Sequence, residues 1–441
     1  MTRLLVLGVV VIACAPAFAQ PECCDVARAE ESLSGYTEGR LRIGFEQRER
    51  YESRTGNSFG ADRDLDTVLV RTRVSMTYQP VPWLKFSGML QDARAPGYGP
   101  NAPNTVRDPA DLHEAYVAIR PDSNTGLGLT AGRMMLNYGE GRLIGTPQWS
   151  NLSRTYDHAR LWYGFAKAHV EFLLVSPVKI RPDGFNRPVL GDRVWGTYDV
   201  FPNIGHKSAL ELYVLRHDQN RPGGFTGGKT AAATDRLEVN TFGARVSGPL
   251  PASLTYNIEA AVQNGWVGPA RHSAQAFDSW LARRWRIAGR AFNLLAEYKF
   301  ASGTKNPAGS ARESTFDQLY AANHDKFGHE DLFGWRNIHD GRTLATYDIT
   351  KSLAVNFMYD SLWLASARDG LYNGSGKMIL RSASGAAGRH VGEEADLFAT
   401  YKYRHLLLGA GYGHLFAGAF VRATSPGVGP TYLYLFHTYS F

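Results

Sequence analysis

From residue 38 onward, hydrophobic and polar residues alternate with period two in segments of about ten residues, and Gly, Pro, Asn or Asp bounds each segment. A β-strand points successive side chains to opposite faces, so this pattern predicts strands. In the segment 38–51, one face carries Leu41, Ile43 and Phe45, while the other is densely charged. Helical periodicity is nearly absent. The body of the chain is therefore predicted to be all-β and antiparallel.

The same division into an apolar and a polar face recurs in the segments 67–78 and 253–263. The apolar face of the first carries Val68, Val70, Val74 and Met76, and that of the second carries Leu254, Tyr256, Ile258, Ala260 and Val262. A soluble sandwich also alternates, so alternation alone does not separate it from a membrane barrel. Aromatic residues near the segment ends, and a last segment that stops on Phe441, favour the barrel.

The N-terminus indicates export. An apolar run over 4–13 follows a basic residue, and the small-x-small tripeptide 17–19 matches a signal peptidase site. We therefore expect a signal peptide over 1–19. The alternative is a lipoprotein processing site that leaves Cys14 lipidated. Cys23 and Cys24 then remain, too few for a disulfide framework or a metal site.

We predict one domain after the signal peptide: a segment over 20–37 on the periplasmic side, followed by an outer-membrane β-barrel over 38–441. The segments number seventeen to nineteen, and bacterial barrels favour even counts, so we expect 18 strands. That leaves about 22 residues for each strand with its connection. A barrel of this size encloses a water-filled channel unless loops plug it.

Net charge alone says little about a substrate, but the balance between arginine and lysine is informative. The chain has 48 basic and 41 acidic side chains, a formal charge of +7, and 44% hydrophobic residues, which excludes disorder. Of the basic residues, 37 are Arg and 11 are Lys. The planar guanidinium matches carboxylates better than an ammonium does.

Arginines on the non-lipid face are the candidate substrate path. The predicted set is Arg40, Arg42, Arg48, Arg50, Arg71, Arg73, Arg133 and Arg245, with Arg142, Arg154, Arg160 and Arg193 on less certain parity. The carboxylates Glu46, Glu114 and Glu259 share this face and would offset part of the charge. A series of charges suits a polyanion, since one tight site would trap it. The alternative is that these charges are solvated, paired with each other, and select for nothing.

No catalytic motif is found, so we expect no enzyme, no cofactor and no metal. His329 and Glu330 lack the second His of a zinc protease helix, and no G-x-S-x-G elbow occurs. The irregular stretch 301–336 contains His324, Asp325 and Asp331 beside them, which is a possible divalent-cation set. A loop that folds over or into the channel mouth is the favoured interpretation.

Several stretches resemble the alginate export porins of the bacterial outer membrane. The most specific is 131–161, AGRMMLNYGEGRLIGTPQWSNLSRTYDHARL, and 301–338 is the second; shorter matches are 113–119, 241–248 and 391–397. The resemblance implies an eighteen-stranded barrel that passes an anionic polyuronate outward through an electropositive lumen. Met134 replaces a Gln that often follows the family's Gly-Arg pair, so the resemblance leaves the exact substrate open.

The leading hypothesis is thus an outer-membrane channel for an acidic polysaccharide. The alternatives are a general anion-preferring diffusion porin and an adhesive or assembly barrel without transport. The partners expected are the polysaccharide, outer-membrane lipid with lipopolysaccharide, and the barrel assembly machinery. We expect a monomer that binds no nucleic acid. The sequence does not fix the direction of transport.

Overall fold

A computed structural model describes residues 39–441, apart from 62–63, 102, 104, 121–124, 166–167, 206, 221–235 and 308–310. The predicted signal peptide 1–19 and the segment 20–37, with all three cysteines, lie outside the described residues. The expected division of the chain into these segments and a barrel therefore stays a prediction.

Eighteen long strands form the wall of the structure, as the alternation predicts. They are β1 Leu41–Thr55, β2 Leu65–Val81, β3 Leu84–Arg94, β4 Asp108–Ile119, β5 Gly126–Met134, β6 Tyr156–Phe165, β7 Ala168–Lys179, β8 Asp192–Gly205, β9 Ser208–Gln219, β10 Leu237–Leu250, β11 Leu254–Val267, β12 Ala270–Ile287, β13 Arg290–Ala301, β14 Ile338–Asp348, β15 Leu353–Leu364, β16 His390–Tyr403, β17 Leu406–Ala417 and β18 Thr431–Ser440. Short strands lie at Arg187–Pro188, Arg312–Glu313, Gly370–Tyr372 and Met378–Arg381, and a short helix α1 spans Ala419–Thr424.

Each wall strand pairs antiparallel with the next, and the first pairs with the last. Tyr51 of β1 lies opposite Val68 of β2 on one side and Leu435 of β18 on the other. This pairing closes the sheet into a barrel with no free edge among the wall strands. Among the described residues, no helix is long and apolar enough to cross a bilayer.

The wall carries its apolar side chains outside and its charges inside. On β2, Val74 and Met76 are 44% and 54% exposed, whereas Arg71 and Arg73 are 3% and 5% exposed. A soluble sheet buries its apolar face and exposes its charged face. The reverse distribution found here fits a barrel surrounded by lipid. Exposed aromatic residues flank the apolar belt: Trp83, Tyr163 and Phe165 at one end, and Trp266, Trp363 and Phe416 at the other.

The two ends of the barrel differ in their connections. At the end where β1 begins, short turns join the strands, and we call it the turn end. The opposite end, here called the loop end, carries mostly longer connections. Two of these longer connections fold back into the lumen and build the candidate site.

Candidate functional site

Two segments enter the lumen from the loop end. The first inserted segment (135–155) connects β5 to β6, and the second inserted segment (302–337) connects β13 to β14. They pair with each other: the Gly145 amide donates to the Tyr320 carbonyl at 3.1 Å, and the Tyr320 amide donates to the Leu143 carbonyl at 2.8 Å. The stretch 301–336, expected to fold over or into the channel mouth, thus lies inside the barrel.

The inserted segments have a hydrophobic core of their own inside the barrel. Phe316, Phe333 and Trp335 of the second segment are at most 1% exposed. They belong to one cluster with Ile144 of the first segment and with Leu173 of the wall. Burial of this much apolar surface holds the segments in place, so they are a packed plug and not loose loops.

Four of the predicted arginines form a basic wall on β1 and β2 that faces the first inserted segment. Arg48 donates to the carbonyls of Gln148 and Ser150 at 2.9 and 3.0 Å, and Arg71 donates to the same two oxygens at 3.2 and 3.0 Å. Arg50 donates to the Trp149 carbonyl at 2.6 Å and lies 4.0 Å from the centre of its ring. These guanidinium groups therefore donate hydrogen bonds to backbone oxygens of the plug.

The fourth member of the basic wall, Arg73, bonds side chains instead. It reaches Gln91 on β3 at 2.8 Å, and Gln148 and Ser153 of the first segment at 3.1 and 2.8 Å. Glu46 is 2.8 Å from Arg71 and 3.9 Å from Arg73. The basic wall thus keeps its inward parity, as predicted, but it anchors the plug.

Two predicted arginines belong to the plug itself. Arg154 joins the inserted segments by donating to the carbonyls of Tyr320 and Ala321 at 2.6 and 3.1 Å. Arg142 reaches the wall, where it lies 3.0 Å from Asp278 and also bonds Glu297. Neither of them projects from a strand, which is why strand parity left them undecided.

The other lumen-facing candidates are paired with neighbours. Arg160 forms two bonds to Glu171, at 3.0 and 2.7 Å. Arg245 bonds Glu211 and lies 3.9 Å from Glu140. Two of the three predicted carboxylates are buried: Glu114 accepts from the Met135 amide at 2.7 Å, and Glu259 accepts from the Tyr213 hydroxyl at 2.9 Å.

Two predictions of lumen orientation are wrong. Arg133 lies opposite Asp157, on the outward row of β5 with Leu127 and Leu129, and bonds Asp157 at 2.7 Å. Arg193 is the second residue of β8, and its side chain is 59% exposed on the outer surface. Both residues lie at the loop end, above the apolar belt, where the outer face also accepts charges. Alternation identifies the lumen face only where the outer face meets hydrocarbon.

Carboxylates dominate the opposite wall, from β11 to β16. Its buried members are Glu259, Asp278, Glu297, Asp340, Asp360, Glu394 and Asp396. Lys299 is fully buried among them, 2.6 Å from Asp340, 3.3 Å from Glu297 and 3.6 Å from Asp360. Arg342 bonds Asp360 at 2.8 Å. The lumen is therefore divided into a basic and an acidic side.

The possible cation set of the second inserted segment is dispersed into separate contacts. His324 bonds Asp331 at 2.8 Å, and Asp325 pairs with Lys326 at 3.1 Å. His329 stacks on Phe398 with ring centres 4.2 Å apart. Within the described residues, no group of three or more His, Cys, Asp or Glu side chains is arranged to hold a metal ion.

A cavity of about 530 Å³ lies under the plug on its turn-end side. Arg142, Lys326 and Arg342 supply its cationic lining, and Glu140, Glu297 and Asp325 its anionic lining. Leu344 and Asn356, near the turn ends of β14 and β15, line its lower part. The cavity thus continues toward the mouth at the turn end.

Basic residues of β1, β3, β12 and β16 face the lumen at that mouth. We call this set the basic rim; by strand register and alternation its members point inward: Arg40, Arg42, Lys85, Arg284, Arg286 and Lys402. Among the described side chains at this level, Asp348 is the one carboxylate, 3.6 Å from Arg284. Glu171 and Glu211 lie further in, paired as described above. A water-filled mouth with this charge concentrates anions.

The family of proteins described as alginate export matches the chain over residues 39–433. The chain belongs to the alginate export family. No curated protein matches it in sequence. The family and the barrel together are those of an outer-membrane transport channel and not of an enzyme, and they place the chain in the bacterial outer membrane.

Solved porin barrels share the fold of this chain. Pseudomonas aeruginosa OpdK with vanillate aligns with a TM-score of 0.61 at 11% identity, covering 91% of this chain and 98% of that one. P. aeruginosa OccK2 (OpdF) in complex with glucuronate has a TM-score of 0.59 at 12% identity, covering 91% and 96%. P. aeruginosa OccK11 (OpdR) gives 0.59 at 14%, also covering 91% and 96%. At these identities the likeness shows the fold alone.

Four members of the basic rim escape the sequence analysis: Lys85, Arg284, Arg286 and Lys402. The run 283–286 places arginines on both faces of β12, since Arg283 points outward over Trp285 at 5.9 Å. Within such a run, the sequence alone does not indicate which arginines face the lumen. The parity is recoverable upstream, where Ala274, Ala276 and Asp278 alternate inward on the same strand.

Docking of the plug inside the barrel is expected to weaken as the pH rises. Glu330 lies on the second inserted segment, outside the membrane-spanning strands. Burial and the neighbouring Asp396 raise the pKa of Glu330 from 4.5 to about 8, although Arg54 opposes the shift. Its amide also donates to Glu394 at 2.9 Å. The docked segment therefore binds more protons than the undocked segment between these pKa values.

The protonated Glu330 carboxyl contributes fully to docking below pH 4.5. This contribution is lost as the pH rises through about 8. The docked-to-undocked ratio should fall up to about tenfold per pH unit in that window. We expect single-channel conductance in planar bilayers to rise with pH across it, and Glu330→Gln to flatten the rise. Asp331→Asn, a neighbour on the same segment, should retain it. Identical pH profiles for wild type and Glu330→Gln would contradict this assignment.

Proposed function

We propose that this protein passes an anionic polysaccharide, an alginate-like polyuronate, across the outer membrane, and that the polymer enters at the basic rim. Short turns face the periplasm in outer-membrane barrels, so the rim lies on the periplasmic side. The rim carries this proposal, because six inward cations face one carboxylate among the described side chains there. Entry on that side corresponds to export.

The basic wall further up the lumen supports the same substrate. If the first inserted segment moves aside, Arg48, Arg50, Arg71 and Arg73 lose their bonds to it and become available to uronate carboxylates. Each sugar of a polyuronate carries about one carboxylate, and guanidinium groups bind carboxylates through paired hydrogen bonds. In the docked state, the plug carbonyls would accept the hydrogen bonds that the polymer carboxylates accept during transport.

The alternative function is a general anion-preferring diffusion porin for small solutes. One observation favours it: the plug leaves a cavity of about 530 Å³, which suits a small solute better than a polymer. The two functions differ in whether an oligomer blocks the current, and from which side.

We expect uronate oligomers to block single-channel current, and to do so at lower concentration from the turn end than from the loop end. Arg284→Ser with Arg286→Ser should raise the blocking concentration about tenfold, because two charges leave the mouth. Added salt should weaken the block. The matched control is Arg283→Ser with Arg290→Ser, which removes two outward arginines at the same turn.

Chloride conductance without saturable block would support the diffusion porin, and no conductance in any condition would support a barrel without transport. Equal block from both sides would contradict entry at the rim. Heat-modifiable migration on a gel verifies that each variant is folded.

A further inference from the structure

Above the apolar belt, the outer surface of the barrel carries polar and charged residues at the loop end. Two rows run across β8 to β12, from one strand to the next along the register. The first row is Arg193, Asp218, Glu238, Trp266 and Arg271, and the second is Trp195, Arg216, Asn240, Asn264 and Ser273. We call these rows, with the adjoining Arg236, the outer polar patch.

The next row down marks the start of the hydrocarbon zone. It contains Val214, Phe242 and Val262, which are 48%, 40% and 55% exposed. Alternate residues of a strand lie about 6.8 Å apart, so the patch rises roughly 14 Å above this row. Long loops face the cell exterior, and the patch therefore lies at the headgroup level of the outer leaflet.

Carboxylates at the centre hold the arginines of the patch in place. Arg216 bonds Asp218 at 2.8 Å and Glu238 at 2.9 Å. Arg193 lies 3.8 Å from Asp218 and Arg236 lies 2.9 Å from Glu238, and their side chains remain 59% and 64% exposed. A guanidinium has five N–H donors, so each outer arginine presents donors to the membrane.

The patch combines a net positive charge with aromatic surface. Four arginines, Arg193, Arg216, Arg236 and Arg271, face two carboxylates, which leaves +2. Trp195 is 37% and Trp266 is 47% exposed, and Arg271 lies 5.7 Å from the ring centre of Trp266. Aromatic side chains of this kind suit the boundary between a sugar headgroup and its acyl chains.

We propose that the outer polar patch is a binding site for the phosphorylated glycolipid of the outer leaflet, lipopolysaccharide. The outer arginines bind the phosphate groups of its lipid A disaccharide, and the two tryptophans contact the sugar and the first methylenes of its acyl chains. Guanidinium groups form bidentate hydrogen bonds with phosphate. In a zwitterionic lipid of the inner leaflet, a cationic group accompanies each phosphate. The site fixes one side of the barrel, β8 to β12, to the lipid.

The test uses the full-length protein in detergent, titrated with purified lipid A and followed by native mass spectrometry. We expect Arg193→Ser with Arg271→Ser to weaken lipid A binding at least about tenfold. Dephosphorylated lipid A should bind the wild type as weakly as lipid A binds the variant. The matched control is Arg283→Ser with Arg290→Ser, two outward arginines at the turn end; it should bind lipid A like the wild type.

Equal binding of lipid A by the patch variant and the wild type would overturn the proposal. A dimer on native gels that the patch variant abolishes would also overturn it, since a second copy of the chain would then cover this face. Heat-modifiable migration establishes that the variants are folded, so loss of binding is separable from loss of the barrel. None of these outcomes depends on what the channel transports.

Discussion

Replacing Arg48 and Arg71 together by serine is expected to open the channel. The two side chains donate four hydrogen bonds to the carbonyls of Gln148 and Ser150. Hydrogen bonds from a charged donor contribute about 1.5 to 3 kcal/mol each, and water replaces part of that loss. A net loss of about 3 kcal/mol shifts the docked-to-undocked ratio of the first inserted segment by more than a hundredfold. The measurement is open probability in planar bilayers.

The control for this experiment is Arg42→Ser, which removes a charge from the same face of β1 at the exposed turn end. It should lower anion preference and leave the open probability unchanged. The opposite result would refute the anchoring role: if Arg48→Ser with Arg71→Ser changes the reversal potential in a salt gradient but not the open probability, these arginines act on permeating ions directly.

The largest loss of stability is expected from Lys299→Met. The Lys299 ammonium is fully buried and lies within 3.6 Å of Asp340, Glu297 and Asp360, and it also donates to the Lys326 carbonyl of the plug. Removing one partner of a buried ion cluster leaves the other charges uncompensated, at a cost of about 3 to 5 kcal/mol. Urea unfolding of the detergent-solubilised barrel, followed by tryptophan fluorescence, measures this loss.

Lys351→Met is the matched control, since Lys351 is an exposed residue of the turn between β14 and β15. A change below about 0.5 kcal/mol is expected there. A loss below 1 kcal/mol for Lys299→Met would mean that the acidic wall does not need this counter-charge, and that Arg142 and Arg342 suffice to balance it.

The alternation of the sequence predicts the wall well, for a reason visible at β1, β2 and β11. On β2 and β11 apolar side chains face lipid along most of the strand, and on β1 Leu41, Ile43 and Phe45 do so in its first half. The inward parity of Arg48, Arg71 and Glu259 follows from this pattern. The same pattern repeats around the barrel. The count of eighteen strands is therefore confirmed.

What alternation could not predict are contacts between distant parts of the chain. Arg48 meets a carbonyl 100 residues away, and Arg54 donates to the Glu330 carbonyl 276 residues away at 2.9 Å. No local period encodes which backbone oxygen a lumen arginine will meet. The sequence therefore identifies the basic wall as a row of charges, while only the folded plug reveals that the row is occupied.

The closing seam of the barrel has a consequence for the timing of its assembly. Tyr51 and Leu435, which are 384 positions apart, lie opposite each other on β1 and β18. Phe45 and Phe441 exchange two main-chain hydrogen bonds of 3.1 Å, and their rings stack 5.6 Å apart. Contacts between such distant residues form slowly.

Until β18 has been synthesised and delivered, β1 exposes a row of unpaired amide and carbonyl groups, which is a template for aggregation. A chain that ends before β18 lacks the partner that closes the sheet onto β1. We expect this edge of β1 to stay unpaired until β18 reaches it. The pairing of β18 with β1, and not the formation of the first strand, therefore sets the time at which the barrel closes.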